Sequence, residues 1–221
     1  MEEQSLGVHA TALQKAQFQE RKNTFYRKVL SWQDVQALYV PAIMALRATG
    51  SDRDLFDVPG EISVDKVQLL LPSDIGGQIP WNKKLGEVEW LLREAQAHDS
   101  LNKLRENLRL RDFLLKKKKD WSRGVRENTR SQTAIGQATD KVTACVTKYR
   151  TARTALSVLA PLLGKGDKWS SQFSDLQDDD IKGLPADGLG EGSRKLSWIW
   201  TCQGVVSSPE IDDEPQLIDG L

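Results

Sequence analysis

The chain has 221 residues, of which 39% are hydrophobic and 28% charged, with a formal net charge of zero and two cysteines. Its mean hydropathy is -0.48, and no apolar run approaches the roughly 18 residues that a membrane helix needs. Cys145 and Cys202 lie far apart, with no second Cys or His at ligand spacing, which excludes the usual zinc patterns. The zero net charge hides a polarity: residues 98–153 hold fifteen Lys and Arg against six Asp and Glu, and residues 166–221 hold four against twelve. A basic middle and an acidic end imply either mutual contact or a polyanion partner for the middle. The opening Met-Glu-Glu-Gln lacks the basic and apolar regions of a signal peptide, so the expectation is a soluble intracellular protein with no membrane partner.

Residues 1–48 are rich in Lys, Gln, Glu, Ala and Arg, all good helix formers. They carry a seam through Phe25, Val29, Trp32, Val35, Tyr39, Ala42 and Leu46. Pro41 lacks a backbone donor and clashes with the carbonyl of Ala37, so a kink or break is expected there. Ser31 with Asp34 offers a cap for a second helix, and an unbroken helix through this point is the alternative. Residues 49–84, punctuated by Gly and Pro, read as an ordered loop in which Val64 to Leu71 forms a short strand or a helical turn.

Residues 85–163 read as an antiparallel helical hairpin. Its first helix, residues 85–119, has apolar positions Val88, Leu91, Leu92, Ala95, Leu101, Leu104, Leu108 and Leu115, with a phase slip near His98. A polar turn around Gly124 follows, and the second helix starts near Thr129. In that helix Ile135, Ala138, Val142, Cys145, Tyr149, Ala152, Leu156, Leu159 and Leu163 alternate in steps of three and four, a heptad seam for a partner helix. The chain breaks at Gly164 and Gly166. Residues 164–206 are loop-rich, with a short helix over Asp175 to Lys182 and a docked apolar patch at Trp198 and Trp200. Residues 207–221 form an acidic tail. The fold expected is all-α: a long kinked N-terminal helix packed with a long antiparallel coiled-coil-like helical hairpin, and a loop-rich C-terminal third.

Chemistry is sparse on this frame. Lys116, Lys117, Lys118 and Lys119 end the first hairpin helix, and Arg123, Arg126 and Arg130 follow at the turn. Such a cluster answers a helix dipole, neutralises nucleic-acid phosphates, or serves as a nuclear import signal. Trp121 beside the lysines offers either base stacking or packing under a loop. Asp178, Asp179 and Asp180 are consecutive, so they cannot converge on one site as two-metal catalysis requires. His9 and His98 have no partner at ligand spacing, and His98 reads as structural, at the hairpin interface. The residues supply no catalytic group, no metal site and no cofactor or small-molecule site.

Leu91 to Arg105, Leu-Leu-Arg-Glu-Ala-Gln-Ala-His-Asp-Ser-Leu-Asn-Lys-Leu-Arg, resembles a block of basidiomycete proteins encoded by KDZ (Kyakuja–Dileera–Zisupton) transposons. Four further pieces resemble the same proteins in the same order: Val35-Gln-Ala-Leu-Tyr-Val-Pro41, Leu70-Leu-Pro-Ser-Asp-Ile75, Asn128-Thr-Arg130 and Gly190-Glu-Gly-Ser-Arg-Lys-Leu-Ser-Trp-Ile-Trp200. The resemblance spans nearly the whole chain. It implies the helical region that follows the cysteine-cluster and RNase H-like catalytic parts of a DDE-type transposase. The catalytic carboxylates would lie upstream of Met1, so none is carried onto this chain, and the chain is expected to be a fragment. The reading is a non-catalytic helical piece that binds DNA phosphate or assembles with itself or other transposase segments, in the nucleus. The alternatives are a coiled-coil interaction module that touches no nucleic acid and a transposon remnant without function.

Overall fold

The heptad of the second hairpin helix needs an apolar wall along its whole length, and the computed structural model supplies one. It describes residues 10–49, 67–121, 125–184 and 196–202. The chain is helical: α1 (Ala12–Tyr39), α2 (Ile43–Thr49), α3 (Pro72–Ile75), α4 (Lys83–Trp121), α5 (Val125–Leu163) and α6 (Lys168–Gln172), with single 3-10 turns at Asp178–Asp180 and Trp198–Trp200. No strand occurs among the described residues. Helices α4 and α5, of 39 residues each and hence about 58 Å long, form the antiparallel pair. All nine seam residues of α5 from Ile135 to Leu163 are buried. Helix α5 starts four residues before the expected Thr129, and α4 two before the expected Leu85, where Asn82 Oδ1 accepts from the Lys84 N–H at 2.9 Å.

The facing seam of α4 differs from the expected one. Its buried apolar residues are Trp90, Ala97, Leu101, Leu104 and Leu108, and Val88, Leu91, Leu92, Ala95 and Leu115 are exposed. The buried set keeps one helical period past His98, so the phase slip does not occur. Residues 88–95 carry apolar side chains on two sides of the helix, and the indole of Trp90 offers more area to bury than the leucine on either candidate face.

Two compact units divide the chain, Met1–Trp90 with Val158–Gly164, and Leu91–Ser157 with Lys165–Leu221. In the first unit α1 begins at a capping box. Thr11 Oγ1 accepts from the Gln14 N–H at 3.3 Å and Gln14 Oε1 accepts from the Thr11 N–H at 2.9 Å, which satisfies two otherwise orphan donors. The first nine residues of the expected helix over 1–48 lie outside the described residues. The helix runs unbroken past Ser31 and stops at Tyr39, just before Pro41, and α2 resumes at Ile43.

Its inward line is Lys22, Val29 and Gln36, continued by Val40 and Ile43. Phe25, Val35 and Tyr39 of the expected seam are exposed. A polar side chain takes the inward place because it is fully used: Gln36 Nε2 donates to the carbonyls of Leu69 at 3.2 Å and Leu70 at 2.8 Å, and its Oε1 accepts from Arg47 at 2.5 Å. These bonds hold Leu70 at φ 50°, a left-handed conformation that costs a bulky side chain energy. Val40, Ile43 and Ile75 then close a cluster with Leu46, Leu70, Ile79, Trp81 and Leu85.

Glu89 is buried in the same unit because it caps α3. Its carboxylate accepts from the Ser73 N–H at 2.9 Å and from Ser73 Oγ at 2.6 Å. Glu89→Ala strands both donors away from water and should cost about 3 kcal/mol, given that hydrogen bonds to a charged group are each worth about 1.5–3 kcal/mol. Urea unfolding of the variant checks this, and an unchanged midpoint would remove the cap from the account.

Helix α5 ends in two steps. Pro161, in its last turn, has no N–H to continue the ladder, and Gly164 adopts φ +67°, the left-handed conformation common just past a helix end.

Candidate nucleic-acid interface

The end of the hairpin where α4 stops and α5 starts gathers a cluster of positive charge. Residues 116–130 contain seven Lys and Arg against Asp120 and Glu127. Lys116, Lys117 and Lys119 on α4 and Arg130 on α5 are exposed. Lys118 is half-buried and donates from Nζ to Gln132 Oε1 of α5 at 2.6 Å, so the two helices are tied across the tip. Arg130 lines a shallow, open groove of about 450 Å³ with Thr129, Thr133, Ala134 and Gln137. Arg126 lies in the first turn of α5, and Arg123 falls outside the described residues. The structure thus brings the four lysines and Arg130 to one end of the pair. The cluster stands at the C-terminus of α4, where cations also answer the carbonyl ends.

Three arginines of the basic middle serve the fold instead. Tyr149 is fully buried and its hydroxyl donates to the Ser174 carbonyl at 2.6 Å. Burial holds its phenol well above the ordinary range, with Arg153 pulling the other way. Arg153 Nε donates to the Phe173 carbonyl at 3.0 Å, and Arg150 donates to the Leu176 carbonyl at 2.8 and 3.0 Å. Arg105 donates to the carbonyls of Ile199 at 2.5 Å and Cys202 at 2.8 Å, and to Cys202 Sγ at 2.9 Å. The guanidinium groups satisfy carbonyls of a segment that has little regular structure of its own. Phe173, Leu176 and Ile199 are its deepest anchors, whereas the expected anchors Trp198 and Trp200 are half-buried.

His98, partly buried on α4, touches this segment, with its ring 4.8 Å from that of Phe173 and Nε2 3.0 Å from Gln172 Nε2. The expected helix over Asp175 to Lys182 is a single 3-10 turn in which Asp178 pairs with Arg150 at 2.6 Å. No group of three His, Cys, Asp or Glu placed to hold a metal occurs among the described residues. Both cysteines are free; Cys145 is buried in the seam, where burial raises its thiol pKa. No helix of the described residues is long and apolar enough to cross a membrane.

Asp112 abuts Gly183, where an added methyl group would collide with its carboxylate. Burial raises the Asp112 pKa above its ordinary value of 3.8, against the pull of Arg111. A carboxylate whose folded pKa is raised penalises the folded state when ionised, and the penalty fades as pH falls through the raised value toward 3.8. Asp112→Asn should therefore raise the melting temperature at pH 7 and lose that advantage near pH 3.8; thermal scans at both pH values check the sign.

One aromatic residue near the tip, Phe113, is a part of the candidate site that the sequence pattern did not single out; the surroundings of Trp121 fall outside the described residues. Phe113 is 62% exposed, and Leu110 is exposed one turn before it. Arg109 lies 5.2 Å over the Trp200 ring, whose Nε1 donates to the Lys182 carbonyl at 2.9 Å. The available signal was spacing: Phe113 stands three and four residues before Lys116 and Lys117, on one helix face.

No known protein family, curated protein or solved structure matches the chain.

Proposed function

We propose that the chain is a non-catalytic helical arm that holds DNA by its phosphates at the hairpin tip. The observation that carries this reading is the gathering of exposed Lys116, Lys117, Lys119 and Arg130 at one end of a stiff helix pair, while Arg105, Arg150 and Arg153 are engaged elsewhere. Phosphate neutralisation supplies most of the affinity of sequence-independent DNA binding. The five-block resemblance to KDZ transposase-like proteins supports placing the arm in a transposase-type assembly, whose catalytic part this chain does not include, and hence in the nucleus. A gel shift with duplex DNA at low and moderate salt tests the reading. The parent chain retards the DNA, and the chain with Lys116, Lys117, Lys118 and Lys119 all changed to Ala retards it only at much higher protein concentration; equal retardation by both would defeat the reading.

A second reading, a coiled-coil interaction module, is favoured by Leu91 and Leu92, which are 64% and 65% exposed on α4. Light scattering separates the two, because a tight dimer indifferent to DNA would replace the first reading with the second.

A further inference from the structure

Phe113 is the most exposed aromatic side chain of α4 whose surroundings are described. Its neighbours on the same helix face include three cations, Lys116 and Lys117 toward the tip and Arg109 one turn back, beside the exposed Leu110. Arg109 itself stacks over the indole of Trp200. Along about 12 Å of helix, flat π-faces and cations therefore alternate: Trp200 under Arg109, then Phe113, then Lys116 and Lys117. Acidic side chains bound this strip, with Glu106 two turns before Phe113 and Asp120 two turns after it, both exposed. Asp112, next to Phe113 in sequence, is turned against Gly183 instead.

A duplex offers cations its phosphates but keeps the faces of its bases stacked inside, so it has no use for an exposed phenyl ring. A single strand offers both, and aromatic stacking beside cations is how proteins bind single strands without reading sequence. We propose that the tip takes single-stranded DNA, with a base stacked on Phe113 and the flanking phosphates on Lys116 and Lys117. This rests on the reading of the tip as a nucleic-acid site and names its ligand. The exposed phenyl ring is then part of the site, and the acidic residues at 106 and 120 limit the strip to a short stretch of strand.

The test is fluorescence anisotropy of the full chain with a labelled oligo(dT) of 20 nucleotides and with a 20-base-pair duplex at low salt. Phe113→Leu keeps an apolar side chain and removes the π-face, and circular dichroism confirms that the helix content is unchanged. The expected result is at least a five-fold loss of oligo(dT) affinity in Phe113→Leu and in Phe113→Ala, with duplex affinity within two-fold of the parent. Lys116→Ala with Lys117→Ala should weaken both ligands. Parent-like oligo(dT) binding by Phe113→Leu, with the lysine variant impaired, overturns the stacking proposal and leaves the phosphate reading standing. Parent-like binding of both ligands by the lysine variant overturns the reading of the tip as well.

Discussion

Leu104→Ala should destabilise the chain by about 2–5 kcal/mol, and Leu92→Ala by no more than about 0.5 kcal/mol. The two substitutions remove the same atoms from the same helix. They differ in where those atoms are: Leu104 is fully buried on the α5 side of α4, and Leu92 is exposed. Truncation at Leu104 loses the transfer free energy of the side chain and leaves a cavity, which a close-packed interior fills only in part. At Leu92 the side chain is already in water, and alanine is the better helix former. Urea unfolding of the two variants reads the difference directly. Equal costs would return Leu92 to the seam and restore the phase slip near His98.

Changing Lys116, Lys117, Lys118 and Lys119 together to Ala should lower duplex DNA affinity by roughly a hundredfold at low salt while leaving the fold in place. Three of the four side chains are exposed and make no part of the core. Lys118 gives up its bond to Gln132, an exposed contact of the kind worth at most about 1 kcal/mol. Alanine preserves the helix. Electrostatic attraction is what the change removes, so its effect should be large at low ionic strength and shrink as salt screens the remaining charges.

The helical class and the α5 seam were legible in the sequence because strict three–four spacing in an uninterrupted apolar line admits one buried face. Helix α4 was harder to read. Between residues 88 and 95 its apolar residues cover two faces, and spacing alone does not choose between Leu91 and Trp90. The seam of α1 misled for a different reason: Gln36 occupies an inward position that a hydrophobic pattern assigns to no polar residue, and its partners at Leu69, Leu70 and Arg47 are distant in sequence. The docking of residues 173–202 was legible as apolar residues needing burial, but not in its means. The arginines that hold it counted as part of a basic surface until their bonds to backbone carbonyls were seen. The lysine run was plain in the sequence. Phe113 was not, because an apolar residue inside a long helix reads as core until its exposure is known.

If the hairpin tip neutralises nucleic-acid phosphate, as proposed, the salt dependence of duplex DNA binding reports it. If Lys116, Lys117, Lys119 and Arg130 each neutralise one phosphate, the logarithm of the association constant should fall against the logarithm of salt concentration with a slope of about -3.6. In the chain with all four lysines changed to alanine the slope should shrink to about -1, since Arg130 alone of that set remains. A parent chain with no measurable binding at 50 mM salt, or a quadruple variant with the parent's slope, would show that the tip does not hold DNA phosphate.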